Sequence, residues 1–115
     1  MKLWIDDVRP APEGYIWCRS TNESLRFIRV HISEIEHIDI DHDAGDFAKE
    51  GGDFIEVLKE LERLSRKTFK QNGIVFHNFW HFRCSVMTFH IHSMNPVGVA
   101  NMRAIIERNG WKEIK

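Results

Sequence analysis

Residues 86–98 read Val86-Met87-Thr88-Phe89-His90-Ile91-His92-Ser93-Met94-Asn95-Pro96-Val97-Gly98. The first half is rich in β-branched and aromatic side chains and predicts a strand over 86–92. It stops at a polar turn. Asn95 as N-cap and Pro96 at the first helical position then start a helix. Val99, Met102 and Ile105/Ile106 continue along one helical face, and Asn109-Gly110 supplies a stop. A strand, a short polar turn and a helix form the unit from which parallel α/β sheets are built.

Working outward, the same alternation recurs. Residues 2–5 are an apolar run that ends at Asp6-Asp7, and Tyr15 to Cys18 is a second short strand. The connection between them holds Arg9-Pro10-Ala11-Pro12-Glu13-Gly14, too short and too broken for a crossover helix. Ser20 with Glu23 has the form of a capping box, and Leu25, Ile28 and Ile32 follow at helical spacing. Ile35 to Ile40 is a third strand, ending in Asp41-His42-Asp43-Ala44-Gly45-Asp46. Gly51-Gly52-Asp53 opens another helix, with Asp53 as the N-cap candidate and Ile55, Leu58, Leu61 and Leu64/Ser65 facing inward. Trp111 to Ile114 makes a last short strand. The order β-β-α-β-α-β-α-β predicts a mostly parallel, roughly five-stranded sheet in a doubly wound three-layer sandwich, with the first crossover helix shortened or missing.

Residues 66–85 resist this reading. They carry Phe69, Phe76, Phe79, Trp80 and Phe82 without a clean period, and fit an extra strand or hairpin, a lid, or a surface pairing with another subunit. Their aromatics make a homodimer through 66–85 an expectation.

Composition excludes several classes. The chain has 115 residues, 43% hydrophobic and 29% charged, which suits one soluble domain over 1–115. Its formal net charge of -1 provides no bulk attraction to nucleic acid or anionic membrane. No apolar run is long enough to span a bilayer, and the acids at positions 6 and 7 do not fit a signal peptide. Cys18 and Cys84 form neither a disulfide framework nor a metal-type CxxC pair, so a reducing cytoplasm is the expected setting.

In an open parallel sheet, ligands bind beyond the carboxyl ends of the strands. Asp6 and Asp7 follow the first strand, Asp41, His42 and Asp43 the third, and His92, Ser93 and Asn95 the fourth. Three distant segments therefore converge on one rim. Carboxylates gathered there repel one another unless a cation is present, and hard oxygen ligands suit Mg²⁺ or Mn²⁺. His42 and His92, on neighbouring strand ends, are expected to flank a phosphate as acid and base. His90 lies deeper on the same side of its strand, behind His92. The helix start at Asn95–Gly98 offers backbone N–H groups to an anion, and Gly98 removes bulk where a ligand would approach. Arg9 and Arg103 are candidate phosphate-side cations. His31 and His37 are expected at the surface, and His77 and His81, four apart, are a weak metal-ligand pair.

The set Leu3 to Pro12, Asp41 to Asp46, Gly51-Gly52-Asp53 and His92-Ser93-Met94-Asn95-Pro96-Val97-Gly98 with Asn101-Met102 resembles the cyclic-phosphate processing receiver domains, relatives of response-regulator receivers. The resemblance spans the chain apart from about 66–85. It implies a flavodoxin-like, receiver-like sheet and a cyclic phosphate as substrate. By resemblance Asp6, Asp7 and Asp41 take the places that hold Mg²⁺ in receivers. His42 beside Asp41, and the absence before Lys115 of the lysine that follows a receiver's fifth strand, point away from phosphoryl relay. Ala44 stands where the family usually has leucine.

The expected function is a metal-assisted phosphoesterase acting on a cyclic phosphate of a nucleotide or RNA-derived end. Its metal ligands are Asp6, Asp7 and Asp41, its catalytic residues His42, His92 and Asp43, and its phosphate-binding residues Ser93, Asn95, Gly98 and Arg9. The alternative is a non-catalytic receiver-like module that binds a phosphorylated ligand or protein partner.

Overall fold

A computed structural model describes all residues, 1–115. Its elements are β1 (Lys2–Ile5), β2 (Tyr15–Cys18), α1 (Thr21–His31), β3 (His37–Ile40), a 3-10 turn (Gly45–Lys49), α2 (Ile55–Ser65), β4 (Thr68–Gln71), β5 (Ile74–His77), α3 (Phe79–Val86), β6 (Thr88–Ile91), α4 (Pro96–Arg108) and β7 (Lys112–Glu113). Five strands form one parallel sheet in the order β2-β1-β3-β6-β7. This is the expected receiver-like α/β fold.

The helix starts are set by side chains that accept orphan N–H groups. Ser20 accepts from the N–H of Glu23, and Asn95 from that of Gly98. Asp53 does not cap α2. The helix begins after Phe54 without a side-chain cap, and Asp53 instead accepts from the N–H of Ala44 at 3.0 Å. That bond ties the loop after β3 to the start of α2.

The register explains where the core lies. Leu3, Ile38 and Phe89 align across three strands, as do Ile5, Ile40 and Ile91. All six are buried, and they join Ile28, Leu58, Leu61, Met102 and Ile105 from the helices in one cluster. The alternate positions point the other way: Lys2, His37 and Thr88 in one row, Trp4, Asp39 and His90 in the next. Right-handed crossovers account for the contrast. The chain moves one way from β1 to β2 and the opposite way from β2 through β3 and β6 to β7. The helices of the later connections therefore share one face, and only the β1–β2 connection serves the other. That connection, residues 6–14, has no helix. The polar face of the sheet is left open.

Residues 68–77 form an antiparallel hairpin, and 79–86 a helix. The hairpin turn is Asn72-Gly73, both with positive φ, at 54° and 77°. The hairpin leaves from the end of α2 and passes into α3, which ends at the start of β6, opposite the carboxyl rim. It does not roof the rim.

Candidate functional site

The sheet reverses its winding at β1, which is flanked by β2 and β3, so the carboxyl ends of β1 and β3 form its switch-point crevice. Asp6 is fully buried there. One of its oxygens, Oδ1, accepts the N–H groups of Val8 and Arg9, both at 2.9 Å, and fixes the 6–14 loop. The other, Oδ2, lies 2.9 Å from Nε2 of His92. Burial works against ionisation of Asp6, but the Arg9 and Val8 N–H groups and His92 outweigh it and hold its pKa below the ordinary value. Asp7 behaves oppositely. Burial, and then the negative charges of Asp6 and Asp41, push its pKa up. The N–H of His42 donates to Oδ1 of Asp41 at 2.8 Å. Asp7, whose charge Asp6 and Asp41 make costlier, stands with them in a donor set suited to a cation. Ligand atoms of Asp6, Asp41 and His92 lie within 4.8 Å of one another, as do those of His42, Asp43 and Asp53, and such acidic and histidine groups could hold a metal ion.

Beside these carboxylates, Nδ1 of His42 sits 2.9 Å from Oδ1 of Asp43. A proton on Nδ1 then faces the carboxylate, which leaves Nε2 as the nitrogen free to take or give a proton. Asn95 reaches toward the same carboxylate at 3.4 Å while its Oδ1 accepts the Gly98 N–H at 3.0 Å. What lies against Gly98 is the His42 ring. A Cβ there would lie 2.5 Å from Cγ of His42, so glycine is required by the imidazole packed on the helix. The anion cradle is reduced accordingly. Pro96 has no N–H, Gly98's is taken, and Val97's remains. Ser93 accepts the Asn95 N–H at 3.1 Å and completes the cap. Gly98→Ala is expected to destabilise the protein by roughly 1–3 kcal/mol, overriding the helix preference for alanine of about 1 kcal/mol. Chemical denaturation checks it, and a gain in stability would show that His42 does not occupy that position.

His42 and His92 pack on different sides of the sheet. Alternation along β6 puts His92 with Thr88 and His90 on the open face, where its ring stacks on Trp4 at 3.9 Å between centroids. His42 packs against Gly98 of α4 on the helical side. The centre of the open-face group is Asp39, the one acid inside the otherwise apolar stretch Ile38–Ile40. Its Oδ1 lies 2.9 Å from Nδ1 of His90 and 2.5 Å from Nδ1 of His92, and its Oδ2 lies 3.6 Å from Nε2 of His37. His37, expected at the surface, is thus drawn into the group. Its Nδ1 is 2.7 Å from the Thr88 hydroxyl. The signal was present in the period of two: His37-x-Asp39 on one strand and His90-x-His92 on the next.

Burial opposes ionisation of Asp39, but the three imidazoles hold it well below the usual carboxylate range. Burial also opposes charging of His92, yet Asp39 and Asp6 raise its pKa overall. The stability that His92 contributes is therefore complete below about pH 6.5 and is lost as pH rises through its higher folded value. Asp39 contributes above about pH 3.9, until pH falls through its depressed value. Melting temperature is expected to decline on the alkaline side, and less steeply in His92→Gln. Wild-type protein that melts higher at pH 8.5 than at pH 6 would contradict this.

Other candidates have plainer roles. Arg9 is exposed, and its carbonyl accepts from Nε1 of Trp4 at 2.8 Å. Arg103 is not at the rim but pairs with Glu113 at 2.7 Å, linking α4 to β7. His31 pairs with Glu34 at 3.0 Å on the surface, and His77 stacks on His81 at 4.1 Å. Cys18 and Cys84 are buried free thiols, each pushed up to about 12 by burial, which removes them as nucleophiles. No helix is long and apolar enough to cross a membrane.

Comparison with known proteins adds one finding. Searches of curated proteins and of solved structures give no match. Residues 1–108 match the family described as the cyclic-phosphate processing receiver domain. With that match over almost the whole chain, the protein belongs to the cyclic-phosphate processing receiver domain family.

Proposed function

We propose that the protein is a metal-assisted phosphoesterase that opens a cyclic phosphodiester on a nucleotide or RNA-derived end. The observation that carries this reading is the meeting of Asp6, Asp7 and Asp41 beside the His42–Asp43 pair at the switch-point crevice.

Asp7 and Asp41 would hold a hard divalent cation, Mg²⁺ or Mn²⁺, with Asp6 kept in place by His92 and the 6–14 loop. When bound, such an ion neutralises charge that develops on phosphate oxygens. His42 carries the proton. Its Nε2 takes a proton from water as the water oxygen forms a bond to phosphorus, and one ring P–O bond breaks. The same nitrogen returns the proton to the departing oxygen, leaving a phosphomonoester and a free hydroxyl. Asp43 orients the imidazole through its contact with Nδ1. Both nitrogens of His92 already face carboxylates, so we assign it the holding of Asp6 rather than proton transfer. Ser93, Asn95, the Val97 N–H and the Arg9 guanidinium are the proposed phosphate contacts, while Gly98 makes room for His42. His90 lies behind His92, through Asp39.

Incubation with 2′,3′-cyclic and 3′,5′-cyclic nucleotides plus Mg²⁺ or Mn²⁺ tests the reading. Turnover lost in His42→Ala supports it. Ligand-induced stabilisation without any turnover, unchanged in that variant, would favour the non-catalytic binding module. A homodimer through 66–85 is proposed separately, because Phe69, Ile74, Val75, Phe76, Phe79 and Phe82 are exposed there. Light scattering at tens of micromolar is expected to give a dimer mass, and a monomer would refute it.

A further inference from the structure

We infer that the open face of the sheet carries a second metal site, for a borderline ion such as Zn²⁺, with Asp39, His90 and His92 as its protein ligands. This inference does not rest on the chemistry proposed for the rim.

The argument begins with periodicity. His37-x-Asp39 on β3 and His90-x-His92 at the end of β6 are adjacent parallel segments, with Asp39 opposite His90. Four side chains rich in ligand atoms thus leave the same face together. Nitrogen-rich donors with one carboxylate suit Zn²⁺ and not Mg²⁺. Their geometry is close to what the ion needs. Bonds of about 2.0–2.1 Å in a tetrahedral site place neighbouring donors about 3.3 Å apart. Here Asp39 Oδ1 is 2.9 Å from His90 Nδ1 and 2.5 Å from His92 Nδ1, and the three ligand atoms fall within 4.8 Å of one another. Each histidine nitrogen needs to move from the Asp39 oxygen by less than about 1 Å to reach that spacing.

The surrounding contacts fit as well. A metal-bound imidazole commonly gives its other nitrogen's proton to a carboxylate or similar acceptor. His92 Nε2 lies 2.9 Å from Asp6 Oδ2, which leaves Nδ1 for the ion. His37 stands against the other carboxylate oxygen of Asp39, its ring held by the Thr88 hydroxyl. The cluster also opens to a cavity of about 590 Å³, lined by His37, Asp39, Thr88 and His90 with Lys2 and Tyr15, which leaves room for water or a ligand at a fourth position. Binding replaces the Nδ1 protons of His90 and His92 by the metal and releases them to solvent.

The experiment is titration of the untagged, chelator-treated chain with Co²⁺, read by visible absorption, followed by displacement with Zn²⁺. The expected result is one tetrahedral-type Co²⁺ site per chain, bleached by Zn²⁺. His90→Ala, at a half-exposed position, should weaken it about 100-fold or more, with Asp39→Asn as a second variant. Asp7→Asn and Asp41→Asn should leave the bands unchanged, even if they abolish every activity of the rim. No Co²⁺ bands, bands that survive His90→Ala, bands lost in His77→Ala, or bands lost in the rim variants would each overturn the assignment.

Discussion

Exchange of His42 for alanine is expected to lower turnover of a cyclic phosphodiester by about 10²–10⁴-fold, the usual contribution of a positioned acid–base group. The reason lies in its surroundings. Asp43 holds Nδ1 at 2.9 Å, and Gly98 leaves space for the ring. His92 also reaches the rim carboxylates, but both of its nitrogens are held, by Asp6 and Asp39. Asp43→Asn should cost less, because the ring keeps its place against Gly98 and loses only the carboxylate at Nδ1. Rates measured under single-turnover conditions, with folding checked by circular dichroism, read the effect directly. An unchanged rate in His42→Ala would remove the histidine from the mechanism.

The largest expected effect on stability is at Asp39. Replacing it by alanine removes the one anion shared by His37, His90 and His92 and leaves polar rings on the sheet without their partner. Breaking a buried charge pair from one side typically costs about 3–5 kcal/mol. Against a total of about 5–15 kcal/mol for a domain of this size, that is a large share. Urea unfolding should show a loss of that order, with asparagine, which keeps the shape and one acceptor, falling between wild type and alanine. A loss under about 1 kcal/mol would mean that the imidazoles do not depend on this carboxylate.

The sequence made some of this legible and hid the rest for physical reasons. Helix starts such as Ser20 and Asn95-Pro96 were readable because capping is local chemistry. The rim was readable because polar clusters after short apolar runs mark strand ends, and the order of strands and helices restricts the topology. Asp53 misled because its oxygen serves the Ala44 N–H across a loop instead of its own helix. Asp39 was hidden by its neighbours Ile38 and Ile40, whose hydrophobicity made the whole run read as core. Only the register with β6 shows that its alternate face is polar and open. Gly98 was recognised as a close approach, but what approaches it, the His42 ring, comes from a strand more than fifty residues earlier. The hairpin was legible in principle. Asn72-Gly73 is a strong turn signal, which the crowd of aromatics around it obscured.

With no helix between β1 and β2, the loop 6–14 is held instead by Asp6, and by the indoles of Trp4 and Trp17, whose Nε1 groups donate to the carbonyls of Arg9 and Asp6 at 2.8 and 2.7 Å. Asp6 therefore serves the loop, the rim and His92 together.

The most direct test of the central claim is phosphorus NMR of a 2′,3′-cyclic nucleotide incubated with the protein and Mg²⁺ or Mn²⁺, beside His42→Ala and Asp41→Asn. The account predicts conversion of the cyclic phosphodiester signal to a phosphomonoester, dependent on the cation and strongly reduced in both variants. A signal that stays unchanged across 2′,3′- and 3′,5′-cyclic substrates with either ion, or conversion that persists undiminished in both variants, would contradict it.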